Sequence, residues 1–286
     1  MDIKNEKTVR RGDLIQISPF TSFMAGFLSL AGVSVQAQTG FTFTDANWAN
    51  TFGYPGANGE VTAITTDTNG DIYVAGNFTI IGTTFATNIA KCNGSAWSPL
   101  GTGFAFGTAS SLACDRLGNL YAGGNFVIQL TNGSNARYIA EWNGTNWLAL
   151  GTGLSGTVSS LAFDNSGNLY AGGMFTTAGG TNASNIAEWD GGNWFPLASG
   201  LSGYVTSLTV DRFGNLYAGG GFTTAGGENA TNIAEWNGSV WSPLGSGLNG
   251  DVAALVCDSS GNLYAGGNFK IAGGVSATNI AELERH

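Results

Sequence analysis

A pattern of short apolar and polar segments recurs along the chain from about Glu60 onward. One full copy runs from Gly156 to Leu201 and reads GTVSSLAFDNSGNLYAGGMFTTAGGTNASNIAEWDGGNWFPLASGL. It contains the short stretches V-x-x-L-x-x-D, L-Y-A-G-G-x-F, N-I-A-E-W and W-x-P-L. Short segments with alternating large and small side chains, bounded by Gly and Asn, are typical of β-strands. Each copy therefore predicts four strands.

The turn between the first and second predicted strands sets the period. Its motif is D-x-x-G-N, and its Asp residues are 48, 49, 47 and 47 positions apart: Asp67, Asp115, Asp164, Asp211 and Asp258. Asp accepts from backbone N–H groups two residues on and Gly allows positive φ, so the motif predicts a hairpin turn. Length varies only between strands two and three and between repeats. In a four-stranded antiparallel sheet both connections leave from one edge, which is where binding residues usually lie.

The two ends of the repeat region are complementary. The fifth repeat stops at Ile280-Ala281-Glu282, inside its third predicted strand, and lacks the Trp-containing fourth strand. The segment Asp45-Ala46-Asn47-Trp48, before the first repeat, is a solitary copy of that strand. A propeller closes its ring this way and protects its strand edges. We therefore predict an all-β fold, a five-bladed β-propeller of four-stranded antiparallel blades, closed by the N-terminal strand.

The strings L-Y-A-G-G and N-I-A-E-W-N-G-x-x-W-x-P-L resemble kelch-type repeats, which also end strand two in a Gly pair and flank the next hairpin with aromatic residues. The D-x-x-G-N turn is more similar to NHL-type and related bacterial propeller repeats. Five blades of this period are also similar to tachylectin-type sugar-binding propellers. The resemblance covers about residues 59–286. It implies a propeller and no particular activity, because propellers host unrelated functions.

The first 37 residues have the layout of a secretory signal peptide. A basic start is followed by the apolar run 23–35 and by the small residues before Gln38. We predict cleavage between Ala37 and Gln38, leaving a single propeller domain over 38–286. A membrane anchor is the alternative, but the run is shorter than the ~20 residues that span a bilayer. We expect a bacterial protein that is secreted, periplasmic or on the cell surface, monomeric and without a stable membrane span.

Charge and cysteine content narrow the possible partners. The net charge is −9, with 10 Lys and Arg against 19 Asp and Glu. Because the cations are scattered, this balance disfavours a nucleic-acid partner. Cys114 and Cys257 occupy equivalent positions in non-adjacent repeats, and Cys92 stands where other repeats carry Trp. We expect packed thiols, not a disulfide, a redox site or a metal site.

The sequence contains no recognisable catalytic set. The one histidine is His286, so Ser-His-Asp and histidine-metal arrangements are excluded. We interpret the turn Asp residues as structural and the recurring Glu141, Glu188, Glu235 and Glu282 as a solvated ring of charge. The G-x-G-x-x-G match at 151–156 joins two predicted strands, which is the wrong context for nucleotide binding. We expect no cofactor and no metal.

Two functions fit these observations. The first is a non-catalytic binding module for an extracellular glycan or protein. Its candidate ligand residues are Gln129, Asn132 and Arg137, in the longest variable loop, and Lys270, the one cation at its repeat position. The alternative is a carbohydrate-active hydrolase or lyase that uses carboxylates at the channel mouth. Acidic residues outside the repeat pattern are Glu60, Asp190, Glu228 and Asp251. A lectin with repeated weak sites around Thr176, Thr177, Thr223 and Thr224 is a variant of the first function.

Overall fold

The computed structural model describes residues 56–284, which belong to the second of two compact units, Trp48–His286. The predicted signal peptide, its cleavage site between Ala37 and Gln38, the predicted strand at Trp48, and His286 lie outside the described residues. Within 56–284 every regular element is a β-strand, and no helix is long and apolar enough to cross a membrane.

The strands form five sheets, most of them with small hairpins beside them. Sheet one consists of β1 (Glu60–Thr66), β2 (Ile72–Asn77), β5 (Ile89–Cys92) and β6 (Trp97–Pro99), with the hairpin β3 (Ile80–Ile81) and β4 (Thr84–Phe85). Sheet two consists of β7 (Phe106–Cys114), β8 (Leu120–Gln129), β9 (Asn135–Trp142) and β10 (Trp147–Leu148). Sheet three consists of β11 (Thr157–Phe163), β12 (Leu169–Met174), β15 (Ile186–Trp189) and β16 (Trp194–Pro196), with the hairpin β13 (Thr177–Ala178) and β14 (Thr181–Asn182).

Sheets four and five repeat this order. Sheet four consists of β17 (Tyr204–Val210), β18 (Leu216–Gly221), β21 (Ile233–Trp236) and β22 (Trp241–Pro243), with the hairpin β19 (Thr224–Ala225) and β20 (Glu228–Asn229). Sheet five consists of β23 (Asp251–Cys257), β24 (Leu263–Asn268) and β27 (Ile280–Leu283), with the hairpin β25 (Ile271–Ala272) and β26 (Val275–Ser276). All neighbouring strands are antiparallel. Four strands per repeat are confirmed in sheets one to four, and sheet five has three.

The D-x-x-G-N motif forms the predicted hairpin turn. In sheet three, Asp164 Oδ1 accepts hydrogen bonds from the backbone N–H groups of Ser166, at 2.8 Å, and Asn168, at 2.9 Å. Asp164 Oδ2 accepts from Asn168 Nδ2 at 2.9 Å. One carboxylate thus satisfies three donors, which explains the Asp at this position.

One connection differs from the prediction. The T-T-A-G-G segment forms a small hairpin in sheets three and four, where the sequence predicts a loop. In sheet two the longer segment instead extends both strands, so that Val127 pairs with Arg137 and Gln129 with Asn135. The two extra residues lengthen the hairpin because a continuous ladder satisfies more backbone groups than a separate two-residue pair.

Successive sheets pack face to face through a close approach of Gly and Val. In sheet two a Cβ atom at Gly123 would lie 2.5 Å from Cγ1 of Val158 in sheet three. Gly172 faces Val205, and Gly219 faces Val252, at the same 2.5 Å. In sheets two, three and four, the Gly pair of the second strand therefore admits a fully buried valine from the next sheet.

A serine in the first strand also links neighbouring sheets. Each first strand shifts register at a bulge, as between Val158 and Ser160. Ser160 Oγ accepts the backbone N–H of Leu208 in the next sheet at 2.9 Å. Ser111 and Ser207 make equivalent bonds to the next sheet at 3.0 and 2.9 Å. These bonds place the first strands side by side, so they form the inner edge of the stacked sheets.

The fourth-strand Trp residues of sheets two, three and four also link neighbouring sheets. Trp194 Nε1 donates to the carbonyl oxygen of Leu150, at the end of sheet two, at 2.9 Å. Trp147 and Trp241 donate in the same way to Leu100, at 3.1 Å, and Leu197, at 3.0 Å. A buried indole N–H needs an acceptor, and the preceding sheet supplies it.

Candidate functional site

The residues that differ most between sheets meet at one edge of the scaffold. The first strands begin at this edge and the second strands end there. In sheets one, three, four and five the first residue of one strand pairs with the last residue of the other, and in sheet two, whose strands are longer, the equivalent pair lies inside the strands. The pairs are Glu60 with Asn77, Thr108 with Asn125, Thr157 with Met174, Tyr204 with Gly221, and Asp251 with Asn268. We call this the variable edge. Different polar and aromatic side chains on a repeated backbone are what a binding site requires.

Tyr204 and Asp251 form the best-defined contact of the variable edge. The Tyr204 hydroxyl donates to Asp251 Oδ2 at 2.7 Å, across the interface between sheets four and five. This hydrogen bond to a carboxylate raises the pKa of Tyr204, and partial desolvation adds to the increase. A Cβ atom at Gly221 would lie 2.5 Å from Tyr204 Cζ. Gly221 therefore leaves the space that the phenol ring occupies, and the bond to Asp251 fixes the hydroxyl end of the ring.

Threonine hydroxyls join the first strands of other sheets beside this edge. Thr62 in sheet one donates to the carbonyl oxygen of Ala109 in sheet two at 2.7 Å. Its hydroxyl also lies 3.3 Å from that of Thr108. In sheet four, Thr206 donates to the carbonyl oxygen of Val252. The inner strands are thus tied to one another next to the side chains that vary.

The hairpins around the variable edge are held by polar caps. Ser155 Oγ accepts the backbone N–H groups of Thr176 and Thr177 at 3.0 and 2.9 Å. Asn249 Oδ1 accepts those of Lys270 and Ile271 at 2.8 and 2.9 Å. These caps make the loops part of a preorganised surface, which reduces the entropy lost on ligand binding.

The predicted ligand residues lie on the same edge but in two places. Gln129, Asn132 and Arg137 belong to the extended β8–β9 hairpin of sheet two, and all three are exposed. Asn132 Oδ1 accepts from the Ser134 hydroxyl at 2.7 Å and its backbone N–H at 3.0 Å, so part of its hydrogen-bonding capacity shapes the turn. Lys270 is exposed beside the hairpin of sheet five. The first three share one hairpin, and Lys270 belongs to a different sheet.

The opposite edge carries the recurring Asp–Tyr–Glu set. The predicted solvated ring is met fully only at Glu282, which is exposed, whereas the other three glutamates are half-buried. Glu188 is half-buried. Burial raises the pKa of Glu188, the charge of Asp164 raises it further, and a hydrogen bond from Tyr170 lowers it. Glu141 is half-buried as well, and burial likewise raises its pKa. The position of these glutamates in the repeat did not reveal their partial burial.

Sheet one replaces that glutamate with Lys91. Its Nζ atom lies 2.6 Å from Asp71 Oδ2 and 3.9 Å from Asp67 Oδ2. Burial alone would lower the pKa of Lys91, but the hydrogen bonds with Asp71 and Tyr73 outweigh it and raise the pKa. The turn aspartates therefore have structural partners in the described sheets, in agreement with the prediction.

Neither the cysteines nor the glycine-rich segment forms a reactive centre in residues 56–284. Cys92, Cys114 and Cys257 are free thiols that are buried or half-buried. Burial raises the pKa of Cys114 to about 12, which keeps it protonated at neutral pH. The segment 151–156 connects β10 to β11 and opens no helix. No group of three or more His, Cys, Asp or Glu in the described part of the chain is arranged to hold a metal ion.

Sequence reasoning missed Tyr204 and Gly221. Both stand at positions where the other repeats carry different residues, and that irregularity was the available sign. The sequence identifies Glu60 and Asp251 as acids outside the repeat pattern. Their common position at the starts of β1 and β23 emerged only from strand pairing.

Comparisons with solved structures return β-propeller proteins. One is a gluconolactonase from Xanthomonas campestris, with a TM-score of 0.45, 15% identity, and coverage of 72% of this chain and 69% of the other. A streptogramin B lyase gives 0.41 and 11%, with 75% and 64% coverage. YCF48 bound to D1 peptide gives 0.45 and 17%, with 73% and 61% coverage. No protein-family model and no curated protein sequence matches the chain. Enzymes and binding proteins both occur among these neighbours, so they do not separate the two functions.

Proposed function

We propose that the chain is a non-catalytic binding module that takes an extracellular glycan or protein at its variable edge. The Tyr204–Asp251 pair is the observation that carries this proposal. A phenol ring oriented by a 2.7 Å bond to a carboxylate offers an apolar face beside polar groups. Asn268 pairs with Asp251 and adds an amide donor and acceptor.

The chemistry of the edge favours a neutral or cationic ligand with many hydroxyl or amide groups. The paired positions supply the acids Glu60 and Asp251, three asparagines and two threonines, whereas Arg137 and Lys270 stand further out on the hairpins. Amide and hydroxyl groups can both donate and accept, which suits the hydroxyls of a glycan. A protein ligand would use the same donors together with the Tyr204 ring.

A glycan-array screen of the full chain tests the binding function. We expect binding to one sugar class that Tyr204→Ala removes and that Phe213→Ala, on the opposite edge, leaves unchanged. A blank array followed by recovery of a cell-envelope protein that binds in the same Tyr204-dependent way would identify a protein ligand. Ligand binding that is insensitive to Tyr204→Ala would place the site elsewhere.

Carboxylate chemistry is the second candidate, because Glu60 and Asp251 both occupy the first position of an inner strand. Two carboxylates flanking a glycosidic bond can hydrolyse it. Glu60→Gln separates the two functions. If the protein is an enzyme, this variant would no longer turn over a bound sugar. If the protein is a binding module, the wild type would form no product and the variant would still bind the sugar.

We also propose that the five sheets are the blades of one closed ring, with sheet five packed on sheet one. Val61 and Ile64 stand where the other sheets carry fully or nearly buried residues, yet they are 44% and 62% exposed. Gly266 stands where Gly123, Gly172 and Gly219 receive a valine, yet a Cβ atom there would meet nothing closer than 3.9 Å. The two faces are therefore complementary.

A disulfide cross-link tests the ring. In the double variant Val61→Cys/Gly266→Cys we expect an intramolecular disulfide, identified by peptide mass mapping. Val205→Cys/Gly172→Cys is the matched control across an interface already formed. A control that cross-links while the 61–266 pair stays reduced would show that the sheets do not close.

We also propose that the protein is exported and that its repeats are kelch-like. The signal-peptide pattern of residues 1–37, with cleavage expected between Ala37 and Gln38, supports a secreted, periplasmic or surface protein. The Gly pair and the two Trp positions support a kelch-like repeat. N-terminal sequencing of the secreted protein tests the cleavage site and should begin at Gln38.

A further inference from the structure

Sheet five has an open groove where the other sheets carry a fourth strand. Among the described residues β27 pairs with β24 alone, whereas β15 and β21 also pair with a Trp-containing fourth strand. The groove has a volume of about 610 Å³. We call it the edge groove, and it is lined by Leu244, Gly245, Gly273, Ile280, Ala281 and Leu283.

The groove repeats the surroundings of a buried tryptophan. In sheet three a Cβ atom at Gly179 would lie 3.0 Å from Cβ of Trp194, and in sheet four one at Gly226 would lie 3.0 Å from Cδ1 of Trp241. Gly273 is the equivalent hairpin glycine of sheet five, and a Cβ atom there would have nothing within 4 Å. The backbone already has the form that accepts an indole.

The acceptor for an indole N–H is also in place. Leu150 and Leu197 each accept a hydrogen bond from a glycine three residues on and a second one from Trp194 or Trp241. Leu244 ends sheet four in the same way, accepts from Gly247 at 3.0 Å, and lines the edge groove. A carbonyl oxygen has two lone pairs, so Leu244 can take an indole donor as its counterparts do.

We propose that the edge groove binds residues 48–50 of the same chain as the fourth strand of sheet five, with the Trp48 indole against Gly273 and its N–H on the Leu244 carbonyl. This inference rests on the proposed closed ring and names the contact that completes it. The segment Trp48-Ala49-Asn50 corresponds to Trp194–Pro196 and Trp241–Pro243. Ala57 pairs with Ile81 as Leu201 pairs with Ala225. Trp48 therefore precedes its sheet at nearly the usual distance.

The groove needs an occupant because its surface is apolar and its strand edge is open. Leu283 is 47% exposed, although its counterparts Trp189 and Trp236, which pack against the fourth-strand Trp of their own sheets, are only 8% exposed. An open apolar edge invites aggregation unless a strand or loop covers it. A segment of the same chain covers it without a partner, and the sequence contains one further copy of the Trp motif, at Trp48, outside the described residues.

A double-mutant cycle between Trp48 and Gly273 tests the proposal by thermal unfolding. Both Gly273 and Gly274 have positive φ, at 58° and 84°, so alanine strains the backbone at either position. Only at Gly273 would alanine also meet the indole. We expect Gly273→Ala to lower the Tm more than Gly274→Ala in the wild type, and both to lower it equally in a Trp48→Ala background.

The single variant gives the size of the effect. Trp48→Ala should lower the Tm by roughly 6–20 °C, comparable to Trp241→Ala, as expected for a buried Trp in a domain of this size. If a variant does not fold, amide hydrogen exchange on the wild-type chain tests the proposal without any substitution. Amides of β27 should then be as protected as those of β21.

Three results would overturn the assignment. These are an equal effect of the two glycine substitutions in the wild type, rapid exchange along β27, and a dimer that dissociates on Trp48→Ala, since a second copy would then supply the strand. An intramolecular 61–266 disulfide without coupling between Trp48 and Gly273 would leave the ring in place and remove only this contact. Ligand binding is measured separately and depends on neither result.

Discussion

The Val158 side chain occupies the space directly above Gly123, so close that a Cβ atom on the glycine would lie 2.5 Å from Cγ1 of the valine. The interface between sheets one and two contains Ala75 and Ala109 at the same positions, and both are fully buried. The Gly–Val and Ala–Ala pairs therefore fill the equivalent space between sheets, because a larger residue on one sheet is matched by a smaller one on the next.

Gly123→Ala should destabilise the protein, and Val158→Ala should compensate for it. The single glycine substitution overpacks the interface and should cost about 1–3 kcal/mol. Adding Val158→Ala recreates the Ala–Ala pair, so the double variant should be more stable than the sum of the two single effects predicts, by about 0.5–3 kcal/mol. Urea unfolding of all four proteins measures this. Strict additivity would mean that the two side chains do not meet.

Ser160→Ala should destabilise the protein, because it removes one of the serine hydrogen bonds between first strands. The substitution leaves the Leu208 N–H without its 2.9 Å acceptor, and an unsatisfied buried N–H costs about 1–3 kcal/mol. Ser166→Ala in the exposed turn is the control and should stay within about 0.5 kcal/mol of the wild type. Equal values for the two variants would show that water replaces the serine.

Ala198→Gly should stabilise the chain. Ala198 has φ 53°, whereas the equivalent Gly101, Gly151 and Gly245 have the same left-handed conformation without a Cβ penalty. Relief of that conformation is worth about 1 kcal/mol. Ala162→Gly, in the middle of β11, is the control with the opposite sign, since glycine weakens a strand by about 0.5–1 kcal/mol. Chemical denaturation of both variants provides the comparison.

Glu188→Gln should change the dependence of stability on pH. Burial raises the pKa of Glu188, so the folded state binds a proton more tightly than the unfolded state does. Stability from this group is therefore present below its unfolded pKa and is lost as the pH rises through the folded pKa. The amide variant should gain more stability at pH 7 than at pH 4.

Exposed Glu228→Gln controls for the loss of one negative charge. The measurement is the urea midpoint at both pH values. A gain for Glu188→Gln that is larger at pH 4 than at pH 7 would contradict the expected direction of the pKa shift.

The strands, the turns and the period of this protein follow from local features of its sequence. A turn such as Asp164 to Asn168 depends on residues within five positions of one another, so the local chemistry of Asp, Gly and Asn is sufficient to predict it. The alternation of apolar residues likewise sets which face of each strand is buried, and the motifs N-I-A-E-W and W-x-P-L predict the third and fourth strands.

The side-chain contacts between sheets depend on tertiary packing. Tyr204 meets Asp251 across 47 residues, and Glu188 is half-buried by packing that no local pattern encodes. The Gly–Val contacts are also products of sheets stacking on one another. Such contacts depend on the distance and angle between whole sheets, and these follow from the combined fit of many side chains, so they cannot be derived from any one repeat.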